Sequence, residues 1–122
     1  YFICNCCGCC CHVLTSINKL GINASDVINS NYYAEIDSDE CVVCNTCVDE
    51  RCQVGAIEEG ADFNQVIRDK CIGCGLCVTT CSTEAIKLIR KDPEKIISPP
   101  KDEMEWYDKR ASEIGVDISK YK

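Results

Sequence analysis

The stretch CIGCGLCVTTC at residues 71–81, read beside CVVCNTCVDERC at residues 41–52, decides the fold. Each places three cysteines with two residues between neighbours and a fourth a few residues later. Cysteines with two residues between them in a tight turn aim their sulfurs at one centre, a geometry that suits a metal and strains a disulfide. A structural zinc site draws on four ligands, commonly two C-x-x-C knuckles. Three closely spaced cysteines plus a fourth instead wrap a short loop around an iron–sulfur cubane, with three corners from the loop and one from elsewhere. Iron–sulfur ligation is therefore the favoured reading, ahead of zinc and of disulfides.

The two stretches form an internal repeat. Cys41 and Cys71 lie 30 residues apart, and Cys52 and Cys81 lie 29 apart. Short strands are expected before each stretch, at residues 34–37 and 64–68, and after each, at residues 56–59 and 85–89. Ile57, Val66, Ile72, Ile86 and Ile89 are the expected apolar cover. Two such units related by an approximate two-fold axis can enclose two clusters.

Composition agrees with a fold built on metal. The chain has 122 residues, 14 of them cysteine, so a quarter of the 46% apolar set is cysteine and the rest is about a third of the chain. A chain this short buries a modest core, and this cysteine content signals a stapled or metal-built fold. The formal charge is −7. No basic stripe is present, which argues against nucleic-acid binding, since that affinity comes largely from neutralised phosphates. No run approaches the ~20 apolar residues of a membrane span. Tyr1 at the first position, with Met104 as the sole methionine, is what a piece of a longer chain is expected to show.

Residues 34–90 resemble a bacterial-type ferredoxin with two 4Fe–4S clusters. The resemblance implies an α+β fold of two short β-hairpins and two short helices around the clusters. It also implies crossed ligation: Cys41, Cys44, Cys47 and Cys81 on cluster I, and Cys71, Cys74, Cys77 and Cys52 on cluster II. Three departures stand out. An extra residue separates Cys47 from Cys52, which crossed ligation tolerates because those two sulfurs serve different clusters. Gln53 and Ser82 stand where the family has proline, and each adds an N–H that can bond a sulfur. Val43 and Asn45 occupy the positions of Gly73 and Gly75; Asn accepts a left-handed backbone and Val does not, so the first loop is the less ideal.

The head, YFICNCCGCCCHVL, is unlike an ordinary ferredoxin. The run CNCCGCCC followed by a two-cluster module resembles a family of larger prokaryotic 4Fe–4S proteins, found mainly among anaerobes. On a helix Cys7, Cys10 and Cys11 share a face, and Cys6, Cys9 and Cys10 form a neighbouring set. With Cys4 these residues make a candidate third site, for an iron–sulfur cluster or for zinc; empty thiols are the plain alternative. His12 reads as a helix-end residue rather than a ligand. Residues 13–20 carry a helical apolar stripe ending at Gly21, and Ser25 or Asp26 can cap a second short helix. The plain role of this head is to pack on the module.

In the tail, Ser98, Pro99 and Pro100 mark a rigid linker. Residues 102–114 read as a helix whose stripe of Met104, Tyr107 and Ala111 is expected to dock on the module. The expected organisation is head 1–33, dicluster module 34–92, and linker with helical tail 93–122. The expected function is low-potential electron transfer without catalysis of its own. The expected partner is a redox protein or an upstream domain of the same chain, in the cytoplasm of an anaerobic prokaryote. The competing reading is a metal- or redox-sensing module built on the head cysteines.

Overall fold

The computed structural model describes residues 6–121; Cys4 of the candidate third site lies outside them. Strand β1 (Tyr32–Ile36) pairs antiparallel with β4 (Ile86–Arg90), and β2 (Ile57–Glu58) with β3 (Gln65–Val66). All four fall where strands are expected. One expectation is corrected. Only β2 and β3 form a hairpin; β1 and β4 join the two ends of the module, because a two-fold repeat pairs the first strand of one unit with the last strand of the other.

The repeat is visible bond by bond. The N–H of Asp37 donates to the Ala85 carbonyl at 2.8 Å, and that of Ile67 to Ala56 at 2.8 Å, so each unit reaches into the other. Cys41 N–H bonds the Asp37 carbonyl and Cys71 N–H the Ile67 carbonyl, each at 3.1 Å. Alternation along the strands turns Ala34, Ile57 and Ile86 inward, where they pack with the buried thiols of Cys47 and Cys77. Val66 flanks this core and Ile57 and Ile86 lie within it, as the apolar-cover expectation requires.

Ile72 faces elsewhere. It packs with Val54 against the head, whose helix α1 (His12–Leu20) buries Leu14 and Ile17. Full burial of each such side chain stabilises by roughly 1.5–3 kcal/mol. Gly21 ends α1 at φ 64°, a left-handed stop that glycine adopts without strain. Helix α2 (Ala24–Val27) begins earlier than expected, with Asn23 at the cap position rather than Ser25 or Asp26.

Helix α3 (Glu103–Ile114) starts on Asp102, whose carboxylate accepts from the Glu105 N–H at 2.9 Å, and stops at Gly115. Its stripe does not dock as expected. Ala111 is buried, but Met104, Tyr107 and Ile114 are exposed. Asn31 holds the linker instead, donating to the Ile97 carbonyl and accepting from the Ile97 N–H, both at 2.9 Å. No helix among the described residues is long and apolar enough to cross a membrane.

Candidate metal centres

The loop after β1 and the loop after β3 use one backbone scheme. Val43 and Asn45 sit at φ 51° and 59°, and Gly73 and Gly75 at 63° and 77°. These left-handed positions curl each loop so that its three cysteines converge. A Cβ on Gly73 would lie 2.3 Å from the Tyr32 carbonyl oxygen, so glycine is required there for space as well as conformation. The first loop pays for the same curl with a β-branched residue, as its sequence foretells.

The extra residue between Cys47 and Cys52 is absorbed locally. Residues Cys47–Arg51 form one π turn, closed by the Cys52 N–H on the Cys47 carbonyl at 3.0 Å. Val78–Thr80 make a tighter 3-10 turn, closed by Cys81 on Val78 at 3.4 Å. Both turns hand the fourth cysteine to the opposite side. Cys81 lines one cavity with Cys41, Cys44 and Cys47. Cys52 lies near enough to Cys77 for their charges to interact, together with Cys74 and Cys71.

Burial raises the Cys77 thiol to about 12, with the neighbouring Cys74, Cys71 and Cys52 adding to the effect. Cys47 is raised by burial first, opposed by Asn64, and raised further by Cys44 and Cys41. Packed thiols that resist ionisation because of burial and of each other are a donor set that a polycationic centre satisfies. Burial also acts against ionisation of Cys81, but the Thr83 hydroxyl and the N–H groups of Ile86, Ala85 and Thr83 outweigh it and lower that thiol.

Three further donors reach other sulfurs of the two sets. Ala56 N–H points at Cys52 Sγ at 3.0 Å, and Ala34 N–H at Cys71 Sγ at 3.4 Å. Asn64 is the third. It is 1% exposed, and its Nδ2 lies 3.1 Å from Asn45 Oδ1 and 3.6 Å from Cys47 Sγ, while its Oδ1 accepts from Gly60 N–H at 3.4 Å. Sequence reasoning missed Asn64; its one signal is that it stands where the other unit has Ala34.

The head lies against the second loop. Gly8 N–H donates to Gln53 Oε1 at 2.6 Å, and Asn18 Nδ2 to the Gln53 carbonyl at 2.9 Å. Gln53, read from sequence as a source of an N–H for sulfur, holds the head with its side chain and carbonyl. Cys6 and Cys11 share a groove with Cys74. Cys7 Sγ lies 2.7 Å from Cys9 Sγ and 3.0 Å from Cys10 Sγ. Neither helical set expected from spacing is the one formed: the turn at residues 8–10 brings Cys9 beside Cys7 and Cys10. Bonds from the Cys10 and Cys9 thiols lower Cys7 to about 6, and the Cys7 thiolate in turn raises Cys10 to about 11.

A family profile described as a 4Fe-4S binding domain matches residues 65–87, from β3 to β4. A ferredoxin of Saccharopolyspora erythraea is 30% identical over 81 residues, covering 61% of this chain and 76% of that protein. A ferredoxin of Rickettsia felis is 44% identical over 52 residues, 41% of this chain and 47% of the relative. The pyruvate synthase subunit PorD of Methanothermobacter marburgensis is 34% identical over 56 residues, 46% of this chain and 64% of the relative. The match thus spans about half the length of the Rickettsia protein and under two thirds of PorD. The chain belongs to the ferredoxins and carries a 4Fe–4S binding domain.

Proposed function

We propose that this chain is a two-cluster electron carrier, with Cys41, Cys44, Cys47 and Cys81 holding one 4Fe–4S cluster and Cys71, Cys74, Cys77 and Cys52 the other. The observation that carries this reading is the exchange of fourth cysteines, Cys81 into the first cavity and Cys52 to the second set. When bound, each cluster supplies reversible one-electron exchange. The chain's own residues fix the environment of that exchange. Ile57, Ile86 and Ala34 exclude water from the inner faces. Cys44 and Cys74 are exposed and form the outer edges, where electrons can enter and leave.

A formal charge of −7, made more negative by the clusters, steers the chain toward a basic docking surface on its redox partner. The PorD relatives are named as subunits of a pyruvate synthase, which supports a place for this chain within a larger redox assembly. The head (1–33) and tail (93–122) then serve as attachments of the carrier module (34–92). A redox titration of the anaerobically purified chain tests the function. Two one-electron transitions within about −600 to 0 mV are expected; clusters inert across that range would remove the reading.

A further inference from the structure

We infer that Cys7, Cys9 and Cys10, with Cys11 as the fourth thiolate, bind a single zinc ion in the head, separate from the ferredoxin clusters. The three sulfurs all lie within 4.8 Å of one another. Four sulfurs around one zinc, with bonds of about 2.3 Å in a tetrahedron, stand about 3.8 Å apart. Two head pairs, at 2.7 and 3.0 Å, stand closer than that and the third lies within 4.8 Å, so the turn has only to open slightly to admit one ion. The outer sulfurs of a cubane sit on four different irons and must stand farther apart. The chain itself provides the comparison. Among the described residues, no three of the eight ferredoxin cysteines form a set this close.

Cys11 is the fourth donor by its place in the turn: its sulfur stands outside the close set of three and bonds Cys6, and a rotation of its own side chain brings it in. Its N–H bonds the Cys7 carbonyl at 3.1 Å, closing the turn that carries Cys9 and Cys10. A zinc here ties residues 7–11 into one rigid turn, from which Gly8 reaches Gln53 beside Cys52. The site therefore clips the head to the segment that follows Cys52. Soft thiolate donors in a tetrahedral arrangement select zinc over magnesium or calcium.

The test uses the full chain, reconstituted anaerobically with iron and sulfide and then given one equivalent of zinc sulfate. Zinc X-ray absorption should show an all-sulfur shell near about 2.3 Å, a readout that needs no variant. Cys7→Ser and Cys10→Ser should each lower retained zinc at least about tenfold, since each removes a thiolate ligand, while iron per chain stays unchanged. Three results would overturn the inference: extra iron in the unaltered chain that disappears in Cys7→Ser, zinc retention unaffected by either substitution, or a Cys7–Cys9 disulfide in the anaerobic protein. Because iron is counted separately, failure of the zinc site leaves the two-cluster reading standing, and the reverse.

Discussion

The backbone N–H of Cys52 donates to the carbonyl of Cys47 at 3.0 Å, closing a π turn where the second unit closes a 3-10 turn. One added residue is thereby confined to a single turn, and the flanking bonds keep their partners: Val48 N–H to Asn45 at 2.9 Å matches Val78 N–H to Gly75 at 3.0 Å. Isolated π turns of this kind occur mostly as local insertions in helical segments. Deleting Glu50, an exposed residue of that turn, should convert it to the shorter form already present after Cys77. Iron and sulfide content of the deletion variant should equal that of the parent chain; loss of half the iron would show that the wider turn is needed to deliver Cys52.

Val43 holds φ 51° without being glycine. A left-handed β-branched residue costs about 1–2 kcal/mol, partly offset because glycine is more flexible in the unfolded chain. Val43→Gly should therefore stabilise the holoprotein by about 0.5–1 kcal/mol in denaturant melts. Gly73→Ala should do the reverse, by more than about 2 kcal/mol, since backbone conformation and a clash act together. Equal, small effects at the two positions would contradict the shared loop scheme.

Asn64 donates toward Cys47 on one side only of the two-fold repeat. A donor near a cluster sulfur stabilises the reduced, more negative state. A typical net hydrogen-bond worth of about 0.5–1.5 kcal/mol corresponds to roughly 20–60 mV for one electron. Asn64→Leu should lower the potential of the cluster held by Cys41, Cys44, Cys47 and Cys81 by about that amount, and leave the other nearly unchanged. Potentiometric EPR reads both. A common shift of the two clusters would assign Asn64 a packing role instead.

Gln53 anchors the head through its side chain to Gly8. Gln53→Pro removes that acceptor at a cost of about 1 kcal/mol. Amide exchange through residues 8–20 should then quicken about fivefold, with no change in iron content. Unchanged exchange would mean that Leu14 and Ile17, packed near Val54 and Ile72, hold the head without it.

The legible features were those fixed by spacing over a few residues. The two cysteine loops and four strand positions follow from C-x-x-C spacing and the repeated Ala-Ile pairs at 56–57 and 85–86. The strain at Val43 follows from aligning it with Gly73. What depended on distant chain segments was harder to read. Pairing of Tyr32–Ile36 with Ile86–Arg90 closes the whole module, and no local signal distinguishes it from a second hairpin. Asn64 looks like an ordinary polar residue until Asn45, Gly60 and Cys47 surround it. The α3 stripe misled because its helical period is genuine, yet Asn31 rather than Met104 or Tyr107 secures the segment.

The central claim is that eight cysteines hold two cubanes with their fourth ligands exchanged. Iron and acid-labile sulfide per chain, measured on anaerobically purified protein, test it most directly. The account predicts about eight of each from the ferredoxin module. About four of each would contradict it, leaving a single cluster and one of the two cysteine sets without its centre.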